Sequence, residues 1–294
     1  MELGELVKRA RKEMGLTQKD LAAGICTQAL ISRIEKGDII PKKSISDQLG
    51  KRLELAETDL SQVTHKAKYN EEISQLKITI RKYLEKRDYE TIELLLKHNE
   101  FIIKKTETEN NQAFFLWIKA SLQDKLYGQK EKALTVLNDI SLKGLDEELV
   151  LEILNAIGVI YYQNNKFDQA LNVFRNGINI VDEHIHYKVQ AKIMLNYALT
   201  LEETDSEKEA LEVIMRAIDS IVNQNSMFLL GDLYHTKGYL LRKLGHLEEA
   251  KKSNQLALSI FEIQKNNEFK MMTQLEIKEI NDELQTTSAI NYMS

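Results

Sequence analysis

The sequence predicts an all-α protein, a short helical head followed by a right-handed α-solenoid of about five degenerate helical hairpins. Three observations predict it. One proline and twelve glycines in 294 residues leave few helix breakers. From about residue 70 a pattern of small and apolar residues recurs at intervals near forty positions. The charge is also split, because residues 1–52 hold eleven Lys and Arg against seven Asp and Glu, a net of +4. The rest must carry −9 to reach the chain's −5. A basic head on an acidic body points to a nucleic-acid-binding module joined to something with a different task.

The head reads as four short helices. Over 3–14, Leu3, Leu6, Val7, Ala10 and Met14 form an apolar stripe that Gly15 stops. Thr17 is a suitable N-cap for a helix over 18–23 that buries Leu21 and Ala22, and Gly24 ends it. Thr27 caps the next, in the stretch "CTQALISRIEKG", with Gly37 as its C′ residue. Pro41 and Ser44 open a fourth that carries Ile45, Leu49 and Leu53.

The third helix is one-sided. At 100° per residue Ile31 and Ile34 fall together with Thr27 and Glu35 beside them, which predicts that this side is buried. Ala29, Ser32, Arg33 and Lys36 fall opposite, with Leu30 on the flank. A free face that is small, hydroxylic and cationic suits the major groove, where an arginine can bond two acceptors on a guanine edge. Gln28, at the helix start, can reach a base edge or a phosphate. A merely solvated helix face has the same composition.

The whole stretch "RARKEMGLTQKDLAAGICTQALISRIEKGDIIP" resembles the helix-turn-helix of the phage-repressor/Cro (XRE) family, with "GLTQ..LA" and "S.IE.G" in order and spacing. The resemblance implies that Gln18, Gln28, Ala29, Ser32 and Arg33 touch DNA, with Lys36 on a phosphate and Thr27 at the helix start among them. It also implies a structural pair between Arg11 and Glu35. Leu30 departs from the more polar residue usual there, so it either meets a thymine methyl or lies against a neighbour.

In the body, "NAIGVIYYQNNKFDQALNVFRNGINI" places Gly158, Tyr161, Phe167, Ala170 and Phe174 at tetratricopeptide spacing. Ala198, Leu201, Ala210 and Ile214 repeat it, and so do Gly238, Leu241, Leu247, Ala250 and Ala257. Weaker copies carry Trp117, Ser121, Ala133 and Leu137, and before them Tyr83, Tyr89, Ile92 and Leu95. A further helix is expected near 270–284. Small residues at fixed places let the two helices of a hairpin approach closely, which is why the pattern means a solenoid.

Such a solenoid lines a concave face with the first helix of each pair and binds extended peptides there. Main chain needs a donor and an acceptor together, and asparagine offers both. Asn155 and Asn196 lie in the first helices of successive repeats and are the leading candidates, unless they bond across neighbouring helices instead. Lys77, Arg81, Lys119 and Gln123 are candidates from earlier first helices, where a cation can meet a ligand carboxylate. Tyr161, Tyr162 and Tyr234 read as packing.

An XRE-type head followed by five degenerate tetratricopeptide hairpins resembles the RRNPP family of peptide-sensing regulators, and within it the PlcR-like branch. The resemblance implies a homodimer formed mainly through the repeats, a palindromic operator in double-stranded DNA, and a short signalling peptide that changes the disposition of the two heads. The expected division is 1–60 for the DNA-binding domain, 61–72 for a linker helix, 73–285 for the peptide-binding and dimerisation repeats, and 286–294 for a flexible tail.

No enzyme motif, cofactor motif or metal set stands out, and His184 and His186, two apart, are expected on different sides of a helix. "MELGELVKRARKEMG" lacks the apolar stretch of a secretory leader, no run is long enough to span a membrane, and Cys26 is the single cysteine. A cytoplasmic protein is expected. Cys26 precedes the reading helix, whose N-terminus would lower a thiol pKa. Either it is an oxidation switch or a small apolar residue filling a turn. The competing function is a constitutive or redox-modulated regulator whose repeats bind a folded protein.

Overall fold

A computed structural model describes the backbone of residues 3–55, 57–182 and 184–293, and the side chains of the same residues except 57–67 and 287–293. Among these residues it contains sixteen helices and no strand. The chain divides into two compact units, Met1–Thr106 and Glu107–Ser294.

The first unit begins with α1 (Leu3–Glu13), α2 (Gln18–Ala22), α3 (Gln28–Glu35) and α4 (Lys43–Arg52). Leu6, Val7, Leu21, Ile31, Ile34 and Leu49 close a small core among them. The start of α2 is held by a reciprocal cap. The Asp20 amide donates to Thr17 Oγ1 at 3.1 Å, and the Thr17 amide donates to Asp20 Oδ2 at 2.9 Å. The Thr17 hydroxyl, which donates to Asp20 Oδ2 at 2.5 Å, and then the Thr17 amide hold the Asp20 carboxyl below its ordinary pKa. The end of α2 is held from a distance, by Arg52 of α4 donating to the carbonyls of Leu21 (3.2 Å) and Ala23. Met14, expected in the buried stripe, lies past the end of α1 and is 42% exposed, because the chain turns at Gly15 (φ +67°) before another helical residue can face inward.

The expected linker over 61–72 is continuous with the first helix of the repeats. A single helix, α5 (Glu57–Glu85), runs into α6 (Tyr89–His98), and a short α7 (Glu100–Lys104) that the repeat pattern did not foretell comes after. Ile73, Leu76 and Ile80 of α5 are buried, as are Ile92 and Leu96 of α6. The side chains of 61–67, within that linker, lie outside the described residues.

The second unit contains four further hairpins. They are α8 (Glu109–Lys125) with α9 (Lys130–Asn138), α10 (Glu147–Gln163) with α11 (Phe167–Ile178), α12 (Tyr187–Glu202) with α13 (Glu207–Asn223), and α14 (Leu230–Lys243) with α15 (Leu247–Ile263). A last helix, α16 (Asn267–Met293), packs on α15 and α14. Together with α5–α6 these are the five expected hairpins and the terminal helix. The tail expected over 286–294 lies, in its side chains from 287 onward, outside the described residues.

The spacing of forty has a visible cause. Asn165, Asp205 and Gly245 sit forty apart, each with positive φ, and each turns the first helix of a hairpin back onto the second. Ala170, Ala210 and Ala250, also forty apart, are fully buried where the second helix meets the first. Gly158 marks the tightest approach between α10 and α11, since a Cβ there would meet the Phe174 ring at 2.5 Å. Phe174 is itself wholly buried, so the ring has nowhere to go. His184 and His186, expected on a helix, instead occupy the loop before α12, where the His186 ring accepts the Lys188 amide at 3.2 Å.

Gly158→Val should therefore destabilise the second unit by about 1–3 kcal/mol through overpacking. The measurement is the urea midpoint followed by far-ultraviolet circular dichroism, with an unchanged midpoint counting against the tight approach.

Candidate nucleic-acid interface and polar ladder of the repeats

Helix α3 is fixed from below and free above. Ile31 and Ile34 have no exposure at all, while Thr27, Gln28, Ala29, Arg33 and Lys36 are exposed and Ser32 is half-buried. Thr27 had been placed on the buried side by the helical wheel. It is exposed because, as N-cap, it has extended backbone geometry rather than helical, and its hydroxyl accepts from the Leu30 amide at 3.3 Å. Gln28, Ala29, Ser32, Arg33 and Lys36 lie on that outward side of α3, whereas Gln18 is on α2.

What holds that face in place is a buried carboxylate. Glu35 receives Arg11 in a two-bond grip (Nε to Oε1 2.5 Å, Nη2 to Oε2 3.0 Å), and the Arg11 Nη1 atom also donates to the Leu16 carbonyl at 2.7 Å. The two side chains are 11% and 4% exposed. Burial alone would push the Glu35 carboxyl up, but the bonds from Arg11 and Gln18 outweigh it and its pKa lies below the ordinary value. This network ties α1, the turn after it, α2 and α3 into one body.

Gln18 has two employments. Its Nε2 atom donates to Glu35 Oε2 at 2.9 Å, so only the remaining amide hydrogen and the side-chain oxygen can face a ligand. Leu30 is half-buried and packs on the head core, so it lies against its neighbours. Cys26 also packs there, and burial pushes its thiol pKa up instead of the expected lowering by the helix terminus.

On the repeats, the facing first helices α10 and α12 are joined by a polar ladder. Lys192 donates to Glu152 at 3.0 Å, Asn196 Nδ2 to Asn155 Oδ1 at 2.8 Å, and the Tyr162 hydroxyl to Glu203 at 3.1 Å. Both asparagines are half-buried. Their mutual bond, the cross-helix alternative that the sequence left open, uses one donor of Asn196 and the acceptor of Asn155. Burial, followed by Glu203, pushes the Tyr162 hydroxyl up to about 12, so it stays protonated and donating. Tyr161, Tyr162 and Tyr234 all pack on the core of this unit, as expected.

The remaining candidates are dispersed. Lys119 is exposed on α8, and Gln123 on the same helix is half-buried with its Oε1 atom shut from solvent and without a donor. Gln123 therefore offers a ligand no acceptor. Lys77 and Arg81 are half-buried on α5, in the first unit. Sequence reasoning missed the ionic continuation of the ladder. Lys243 of α14 bonds Glu202 (2.5 Å) and Glu207 (3.3 Å), and Arg242 bonds Glu276, Glu279 and Glu283 of α16. Offsets of 34 to 41 between these partners, near the repeat length, were the available signal.

A one-sided helix α3 on a bonded base, with stacked helical hairpins after it, defines a helix-turn-helix protein with tetratricopeptide-like repeats. A helix-turn-helix family model matches residues 7–60, and the model of the RNPP family C-terminal domain matches residues 77–280. The chain belongs to the RNPP family. No curated protein matches it. Among solved structures it is similar to Bacillus thuringiensis PlcR in complex with the peptide PapR7 and DNA. The identity is 25%, the TM-score 0.64, and the match covers 92% of this chain and 98% of that one. The apo form of the same Bacillus thuringiensis protein matches at 25% identity and TM-score 0.63, over 94% and 98% of the two chains. The apo form of RapI, at 17% identity and TM-score 0.51 over 98% of this chain and 74% of that one, shares the fold. Among the described residues no helix is long and apolar enough to cross a membrane.

Arg11→Ala leaves the Glu35 carboxylate buried without its cation and should cost the head about 3–5 kcal/mol. Thermal unfolding of the full chain, followed by a probe in the head, measures it. In the wild type the Glu35 contribution is fully present above its ordinary pKa of 4.5 and is lost as pH falls through the depressed folded value. A head stability flat from pH 6 down to pH 3 would remove Glu35 from this role.

Proposed function

We propose that the chain is a transcription regulator that binds a palindromic operator as a homodimer through α3, and whose repeats bind a short signalling peptide that controls DNA binding. The observation that carries the reading is the α3 face, with Gln28, Ala29, Ser32, Arg33 and Lys36 presented outward over a helix whose other side is locked by Glu35. That the similar Bacillus thuringiensis protein was solved with a peptide and DNA supports it. Two heads then occupy half-sites about 34 Å apart, or a multiple of that distance. The peptide acts by favouring one arrangement of the repeats over another, since equal affinity for both would change nothing. The asparagine pair supplies the donor and the acceptor for its main chain. The reading is of a regulator acting in the cytoplasm, without catalysis and without a cofactor.

The division at 60 and 72 belongs to this proposal too. Residues 61–72 run within α5, and a continuous helix is suited to passing a rotation of the repeats on to the head.

An operator selected from random duplexes provides the test on the DNA side. On it, Arg33→Ala should weaken binding by about 1–3 kcal/mol and relax the preference at one base position, read by fluorescence anisotropy at fixed salt. Unchanged affinity and preference would remove Arg33 from the reading set. On the peptide side, mass spectrometry of molecules retained from spent host medium should find a short peptide on the wild type and none on an Asn155→Ala, Asn196→Ala variant. Capture of a folded protein in its place would favour an adaptor function for the repeats.

A further inference from the structure

Helix α16 has two apolar faces and only one of them is covered. Its inner side carries Thr273 and Ile280, both fully buried against the preceding hairpin. On the opposite side Met271 is 65% exposed and Leu275 61%. A helix apolar on opposite sides needs a partner for each. The exposed pair is flanked by charges, Glu268 one turn before Met271 and Lys278 one turn after Leu275, both exposed. Neither charge has an ion-pair partner in the chain among the described residues. At 100° per residue, 268, 271, 275 and 278 fall within an arc of about 80° centred opposite Thr273 and Ile280.

The order of these four residues is self-complementary. Their spacings are three, four and three, symmetric about position 273. If two copies of the helix run antiparallel across a two-fold axis at that position, Met271 of each meets Leu275 of the other. Glu268 of each then meets Lys278 of the other, twice over. No shift of register by a residue or two preserves both matches. We propose that this outward face of α16 pairs isologously with the same face of a second copy. The inference rests on the homodimer of the proposed function and assigns it a surface. A closed two-fold contact of this kind uses one patch on both partners. The apolar pair supplies the attraction, and the charges fix direction and register, because exposed ion pairs add little energy while like charges brought together are excluded.

The test uses the full chain and charge reversal. Glu268→Lys and Lys278→Glu, each made alone, set like charges against each other at both ends of the contact. Each should weaken self-association about tenfold or more in sedimentation velocity. An equimolar mixture of the two single variants should recover wild-type association, since every contact is again between opposite charges. The double variant should recover it too. Loss without recovery, or single variants that associate as the wild type does, would overturn the pairing. Binding of each variant to a single half-site is measured in parallel and should be unchanged, because α3 is untouched. A dimer indifferent to these changes removes the surface and leaves the regulator standing. A wild type that is monomeric at tens of micromolar, free and on its operator, removes the dimer with it.

Discussion

Helices in both units approach each other at residues too small to keep a neighbour away, and much of the architecture depends on that constraint. In the head, a Cβ on Gly4 of α1 would lie 2.5 Å from the Ile34 carbonyl oxygen and 2.9 Å from that of Glu35. The last turn of α3 therefore rests directly on α1. That contact brings Arg11 within reach of Glu35 and so sets the direction in which Gln28 and Arg33 point. In the repeats the same role falls to Gly158 against Phe174 and to the alanines at 170, 210 and 250. Close packing of this kind tolerates little change in volume.

From that constraint the two candidate surfaces arise in different ways. The α3 face is made by exclusion, because Ile31, Ile34 and the Glu35 carboxylate are used underneath. The residues left on top are polar, small and cationic. The repeat face is made by alignment. Successive first helices stand side by side with polar residues at offsets near the repeat length, so rungs form between them: Glu152 with Lys192, Asn155 with Asn196, Tyr162 with Glu203. Each rung consumes part of its hydrogen-bonding capacity and leaves part of it open. A ligand in such a groove competes with, or completes, bonds that already exist. Buried polar networks of this sort respond as a unit, since removing one member strands another.

The ladder changes character along the second unit. Between α10 and α12 it consists of one ion pair, one amide pair and one tyrosine–carboxylate bond. Around α14 it is dense with charge, with Arg242 held by three glutamates of α16 and Lys243 by Glu202 of α12 and Glu207 of α13. The carboxylates raise the pKa of both cations, and burial, followed by Glu202, raises that of Tyr239. Glu276 and Arg242 are largely shielded from water, whereas Glu279 is 59% exposed and contributes accordingly less.

The sequence by itself determined the helix class, the five hairpins and the terminal helix, and the resemblance of its head motif implied the pairing of Arg11 with Glu35. Periodicity, caps and small residues are local or strictly repeated, and the head motif is dense enough to be read without tertiary help. It also picked out the residues of the α3 face, though not that Thr27 stands clear of the core or that Met14 falls beyond the helix end. Only the tertiary structure decided how Gln18 is shared with Glu35, that burial raises the Cys26 thiol pKa, and that Asn155 and Asn196 bond one another. It alone revealed Arg52 on the end of α2, and the glutamates around Arg242. Those are contacts between residues 17 to 41 apart, and which of many such polar pairs meet depends on how the helices are rotated and how far they have slid. No single stretch of chain carries that information, because packing of the whole unit sets both.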